Sequence, residues 1–205
     1  MKKLIFIAIM WGGAASANCI CLTCLNPNIE MFSVAASSME PALTQGSCFK
    51  TLAPDDPRNI MPGTIISFRH PTRDVRFVKR LIAVEHQTVQ MIDGRVWIDG
   101  AALPQTPAAP YVRPMEIGLR CRNGAVPRGQ DCIVARATET LGELRYSVLN
   151  VGQQQVDNTP VFTVPPDHVF VLGDHRDNST DSRIPQSAGG VGFVSVDNII
   201  GALIP

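Results

Sequence analysis

From Pro27 onward the apolar residues fall into short runs, each closed by glycine, proline or a polar turn, and no stretch sustains the i, i+3, i+4 spacing of an amphipathic helix. A chain patterned this way buries itself as β-sheet. Glu30 to Ala36 reads as an extended segment, Thr64-Ile65-Ile66-Ser67-Phe68 as a buried strand and Val75 to Glu85 as another. Thr88-Val89-Gln90-Met91-Ile92 and Arg95-Val96-Trp97-Ile98-Asp99 are joined by Asp93-Gly94, the two-residue signal of a tight hairpin. Val169-Phe170-Val171-Leu172 ends at Gly173, and a further apolar run extends from Val194 to Leu203. The 16 Gly and 16 Pro are scattered among these runs, which describes a globular chain with many turns, and no internal repeat is visible.

Lys2 and Lys3 precede a stretch from Leu4 to Leu25 that carries no charge. At ~1.5 Å per residue a helix of that length reaches across a ~30 Å hydrocarbon core. The two lysines favour a cytoplasmic N-terminus, which puts everything after Leu25 on the far side of the membrane. Ala15-Ser16-Ala17 also reads as the small-residue cleavage site of a removable signal peptide, so retention and removal both stay open. Either way the globular part is exported.

The 205 residues suffice for one well-buried core with a subsidiary lobe, not for two equal domains. Between Ala101 and Pro166 prolines cluster and apolar runs shorten, the texture of an inserted lobe. The organisation expected is an anchor over 1–25, a catalytic core in two parts over 26–100 and 167–205, and the lobe over 101–166. Lys plus Arg (18) balance Asp plus Glu (18), so the basic field that gathers nucleic acid is missing and such partners are set aside.

Six cysteines suit an exported, oxidising compartment. Cys121 and Cys132 flank the turn-rich segment 122–131 and are candidates to close a bridged loop. Cys19, Cys21 and Cys24 are closely spaced but have no His, Asp or Glu nearby, which argues against a metal site. They are expected as small apolar residues in or beside the membrane, and Cys48 as a buried inert thiol.

Three segments carry potential chemistry. Ser38 follows an extended apolar segment in Ser37-Ser38-Met39-Glu40-Pro41-Ala42-Leu43, where a helix N-cap is its bland alternative. In Val75-Arg76-Phe77-Val78-Lys79-Arg80-Leu81-Ile82, strand alternation puts Phe77, Lys79 and Leu81 on one face. Most strand lysines run out to solvent, but one held among apolar neighbours has a lowered pKa and becomes a base. Gly173-Asp174-His175-Arg176-Asp177-Asn178-Ser179-Thr180-Asp181-Ser182-Arg183 superficially suggests a calcium loop, yet it lacks the glycine at the sixth place and the closing Glu.

The order and spacing of these segments resemble one family, the type I signal peptidases or leader peptidases. Ser38-Met39-Glu40-Pro41 before Leu43 is similar to the family's nucleophile motif, Phe77-Val78-Lys79-Arg80 to its general-base motif, and the Gly173 to Arg183 loop to its most specific signature. Pro62 to Phe68, Glu139-Thr140-Leu141-Gly142 and Gly192-Phe193-Val194 keep the same register. The resemblance runs from about Phe32 to Leu203, weakly in the lobe.

That resemblance implies a strongly bent, mostly antiparallel β-sheet catalytic core with an inserted smaller lobe, preceded by an N-terminal transmembrane helix. It implies that Ser38 attacks, Lys79 accepts its proton, Ser179 hydrogen-bonds and orients Lys79, and Asp181 and Arg183 brace the loop by an ion pair. Arg80 is a supporting residue. Phe32, Val34, Met39, Leu43 and Val78 stand where the family lines its substrate pockets. The activity implied is removal of signal peptides from exported precursors with Ala-x-Ala-type cleavage sites. It would run on the extracytoplasmic (periplasmic) side of the inner membrane, the chain held in the lipid bilayer by a single pass, with no cofactor and no metal. The sequence departs from the family at Ala36, where some members carry an oxyanion-binding serine, at Ala42 in place of threonine, and at His175 in place of asparagine.

Rival readings remain. A Ser-His-Asp hydrolase would use His70, His86, His168 or His175, but no Gly-x-Ser-x-Gly elbow is present. A Ser–Lys peptidase dedicated to a pilus or conjugation precursor fits the same motifs. The non-enzyme rival is an exported, disulfide-bearing binding protein in which Ser38 and Lys79 are structural.

Overall fold

The computed structural model describes residues 19, 21, 23–115, 121–122 and 124–204. Within them the chain is β-structure linked by turns and short 3-10 helices. Strands β1 (Ile29–Ser33), β2 (Cys48–Leu52), β3 (Ile65–Arg69), β4 (Arg76–Val84), β12 (His168–Leu172), β13 (Val194–Ser195) and β14 (Ile199–Ile204) form a seven-stranded sheet in the order β1-β2-β14-β3-β4-β12-β13. Every neighbouring pair in it is antiparallel.

A four-stranded sheet joins β5 (Thr88–Ile92), β6 (Arg95–Ile98), β7 (Ala101–Ala102) and β11 (Phe162–Thr163) in the order β11-β5-β6-β7. Asp93 (φ 48°) and Gly94 (φ 74°) turn the β5–β6 hairpin, both with the positive φ that a two-residue type I′ turn requires. The third sheet is the three-stranded β10-β9-β8, built from β8 (Gln105–Pro114), β9 (Asp131–Leu141) and β10 (Leu144–Asn150). Pro107, Pro110 and Pro114 lie on β8, and proline has no N–H for a ladder, so β8 takes the edge position. β7 and β11, at the two ends of the stretch 101–166, pair with β6 and β5.

The packing explains why β4 is buried along most of its length. Leu81 on β4 with Val169 and Val171 on β12 belongs to one apolar cluster, which also holds Ile66, Phe68 and Val194. Ile82, Phe170 and Leu172 point the other way, into a second cluster with Val89, Met91 and Val96 of the four-stranded sheet. Strand alternation thus puts β4 and β12 between two cores. A third cluster, Val34, Met39, Leu43, Phe49 and Ile65, underlies the edge that carries Ser38.

Several expectations need correction. The apolar run 194–203 is interrupted by a 3-10 turn at Val196–Asn198, because Ser195 Oγ accepts from Asp197 N and caps it. The expected membrane helix lies largely outside the described residues, and no helix among the described residues is long and apolar enough to cross a membrane. Its expected last residues are not helical continuations: Thr23–Leu25 is a 3-10 turn, with Cys21 joined to Cys24. Cys48 is an exposed residue of β2 disulfide-bonded to Cys19, not a buried thiol, since their Cα atoms lie 5.8 Å apart at bridging distance. The expected bridge between Cys121 and Cys132 is present, with the Cys132 side chain buried against Val134 and Leu149.

Candidate active site

Ser38 sits in a 3-10 turn, Ser37–Met39, immediately after the extended segment that leaves β1. Met39 is fully buried and fixes the turn into the third apolar cluster, leaving Ser38 at the floor of a groove. Lys79 enters that groove from β4, with Nζ 2.7 Å from Ser38 Oγ and 3.1 Å from the Val78 carbonyl oxygen. The ammonium nitrogen also lies 5.2 Å from the centroid of the Phe77 ring.

Lys79 is only 4% exposed. Burial lowers its pKa from 10.5 to about 8, an effect only partly opposed by the carboxylates of Asp181 and Asp174 and reinforced by the Arg183 guanidinium. A neutral amine is thereby within reach near physiological pH, at hydrogen-bond distance from the Ser38 hydroxyl.

The Gly173 to Arg183 loop closes the site from behind. Asp181 Oδ1 accepts from Arg183 Nε at 2.8 Å, Oδ2 accepts from Arg183 Nη2 at 2.9 Å, and Oδ2 also takes the Gly173 N–H at 3.1 Å. Burial alone would raise the Asp181 pKa, but the Arg183 charge and these donors outweigh it and hold the carboxyl below its usual value. Ser182 Oγ accepts from the Val171 N–H at 2.9 Å and ties the loop to β12. Ser179 Oγ is buried beside Asp181, whose carboxylate it helps to keep ionised, and makes no hydrogen bond to Lys79. The second partner of Lys79 is the Val78 carbonyl instead.

Arg80, the neighbour of Lys79, points to the opposite side of β4. Its guanidinium donates from Nε to Asp174 Oδ1 at 2.7 Å, from Nη2 to Asp174 Oδ2 and from Nη1 to the Gly63 carbonyl. His175 is buried, and burial lowers its pKa to about 4, so its imidazole is neutral at ordinary pH; its backbone N–H donates to the Ser38 carbonyl at 3.1 Å.

Phe32, Val34 and Val78 line the groove beside Ser38 and Lys79. Met39 and Leu43 do not: they are buried in the cluster beneath it. Phe49, Arg76, Asn178 and Thr180 line it as well, and Asn178 Nδ2 donates to Ser37 Oγ at 2.7 Å. Asn178 and Thr180 belong to the signature loop and Arg76 to the Lys79 strand, so their nearness was signalled; Phe49 is brought in only by the pairing of β2 with β1. Among the described residues no group of three or more His, Cys, Asp or Glu side chains is arranged to hold a metal ion.

Residues 6–204 match the family model described as signal peptidase, peptidase S26. The chain is 31% identical over 140 residues to signal peptidase I of Rickettsia typhi and 32% identical over 142 residues to that of Rickettsia conorii. These alignments cover 68% and 67% of this chain but 48% of each relative, so the chain spans about half the length of the curated relatives it matches. A crystal structure of a signal peptidase I from Enterococcus faecalis aligns over 71% of this chain and 97% of that one, at 25% identity and a TM-score of 0.40. With a family match that runs over nearly its whole length, this chain belongs to the signal peptidase family, peptidase S26.

Proposed function

We propose that this protein is a membrane-bound serine endopeptidase that removes signal peptides from exported precursors, with Ser38 as nucleophile and Lys79 as general base. The observation that carries the reading is the 2.7 Å contact between Ser38 Oγ and a buried Lys79 Nζ whose pKa is lowered to about 8.

Neutral Lys79 takes the Ser38 proton as Oγ bonds to the scissile carbonyl carbon. When the tetrahedral intermediate collapses, the C–N bond breaks and the lysine returns that proton to the leaving amine, leaving an acyl-enzyme. Lys79 then deprotonates a water that attacks the ester, and the proton goes back to Ser38 Oγ. The Val78 carbonyl holds one Nζ–H and so aims the lone pair, the orienting task that aspartate performs toward histidine in the Ser-His-Asp triad. Ala36 lines the groove without a hydroxyl, so the backbone N–H of Ser38 is the main oxyanion donor in this reading.

The precursor would lie extended along β1 and β4, with alternate side chains turned into the groove. Its apolar wall of Phe32, Val34 and Val78 suits small residues at the first and third positions before the cut. An anchor within residues 1–25, as the sequence leads one to expect, would hold the chain in the inner membrane with the groove on the extracytoplasmic side. Residues 26–100 and 167–205 would form the catalytic core around the inserted segment 101–166.

The test is cleavage of a model precursor by the full chain in detergent, beside Ser38→Ala and Lys79→Ala. Both variants should fold and neither should cut, because nucleophile and base act as a unit. Full activity of Lys79→Ala would end the reading.

A further inference from the structure

Each strand of the three-stranded sheet sends one side chain to a different segment of the site, Glu139 and Tyr146 buried and Arg113 mostly so. From β8, Arg113 pairs with Glu40, which has no solvent exposure and stands two residues after Ser38. From β9, Glu139 accepts from Arg176 Nη2 at 2.6 Å and Nη1 at 3.0 Å, while Arg176 Nε donates to the Gly173 carbonyl at 3.2 Å. From β10, the Tyr146 hydroxyl donates to Glu139 Oε1 at 2.7 Å, and the Arg80 guanidinium carbon lies 3.9 Å from the Tyr146 ring centroid.

The end of β10 adds backbone ties, with Leu149 N–H donating to the Asp174 carbonyl at 2.8 Å and Val151 N–H to Asp177 Oδ2 at 2.6 Å. The nucleophile turn, the base strand and the signature loop therefore each have a partner on the insertion. Fold stability alone does not call for such partners, because a buried ion pair can be replaced by apolar residues with little loss. What a desolvated pair supplies, above all a bidentate one such as Glu139 with Arg176, is direction, and a dyad needs its atoms held to about half an ångström.

We infer that Arg113, Glu139 and Tyr146 are positioning residues for the Ser38–Lys79 pair, an inference that rests on the peptidase reading above. The insertion is thus part of the catalytic apparatus. Arg113 and Glu40 fix the Ser38 turn; Glu139 fixes the loop through Arg176; Tyr146 fixes the Lys79 strand through the Arg80 guanidinium stacked on its ring.

The experiment compares the full-length wild type with Arg113→Met, the double variant Glu40→Gln with Arg113→Met, Tyr146→Phe and Tyr146→Leu, measuring kcat, KM and Tm. The double variant leaves no unpaired buried charge, so it keeps the test alive even where Arg113→Met does not fold. Its kcat is expected to fall on the order of 10- to 100-fold, the effect of a small misplacement of reacting groups, with KM within about twofold. Tyr146→Phe keeps the ring under Arg80 and should retain most of kcat, whereas Tyr146→Leu should not. Wild-type kcat in the double variant, or in Tyr146→Leu, overturns the inference. If the wild type cuts no precursor, the peptidase reading falls, and the Lys79 titration followed by NMR with labelled lysine decides the inference by itself. A shifted titration in Tyr146→Leu upholds it, and an unchanged one overturns it.

Discussion

Gly173 and Ser179 touch so closely that a Cβ added to Gly173 would lie 2.3 Å from Ser179 Oγ, and 2.6 Å from the Ser38 carbonyl oxygen. The backbone of the signature loop thus lies directly against the backbone of the nucleophile turn. Gly173→Ala must push one of them away. We expect kcat/KM to fall roughly 100-fold, the size of effect a displacement of about 1 Å can have, and steady-state kinetics on a precursor would measure it. Unimpaired cleavage would mean that this contact does not set the position of Ser38.

The pH profile should report Lys79. With its pKa lowered to about 8, kcat/KM is expected to rise through an acid limb centred there and level off above it. His175, lowered to about 4, stays neutral over that range and adds no limb. A single limb near the ordinary histidine value of about 6.5 would instead point to an imidazole base.

The same burial should weaken the fold. Between about 8 and 10.5 the folded chain binds fewer protons at Lys79 than the unfolded chain does, so stability rises with pH across that window. Below it the penalty is complete, roughly 3 kcal/mol by the conversion of pKa shift to free energy. Lys79→Met is therefore expected to raise the urea midpoint at pH 7, with the gain shrinking toward pH 10.5. A destabilised Lys79→Met at pH 7 would contradict the account.

Selectivity should follow the groove wall. Replacing alanine before the cut by phenylalanine would overpack Phe32, Val34 and Val78 by roughly 1–3 kcal/mol and slow cleavage about tenfold or more. Val34→Ala should narrow that gap, since Val34 lines the groove. Met39→Ala, buried beneath it, should lower stability by about 2–5 kcal/mol. A peptide series varied at this position gives the ratios, and equal rates for alanine and phenylalanine would remove the wall assignment.

Much of this was legible in the sequence, because the informative features are local. Asp93-Gly94 announced its hairpin through turn chemistry, and Lys79 alternates with Phe77 and Leu81 as strand period demands. The Cys121–Cys132 bridge was legible from the turn-rich segment it closes, but the other four cysteines were not. Cys19 and Cys48 are 29 residues apart, and only the pairing of β1 with β2 brings Cys48 opposite Ser33, beside the segment carrying Cys19. Met39 and Leu43 misled for a related reason: motif position says that they are near Ser38, but not that the turn sends them inward. Arg113 and Tyr146 gave no local signal, since their partners Glu40 and Arg80 lie in other sheets or turns and polar residues on a proline-rich insertion look like surface.

The placement of β4 between two apolar clusters has a consequence for how the protein opens. Amide exchange is slowest where opening must disrupt the most packing, and β4 with β12 belongs to both cores, whereas β1 and β13 are edges held from one side. The lysine rides on the segment that lets solvent in last, while the groove wall at Phe32 rides on one that can fray. Such a protein can open the wall of its groove without wetting Lys79.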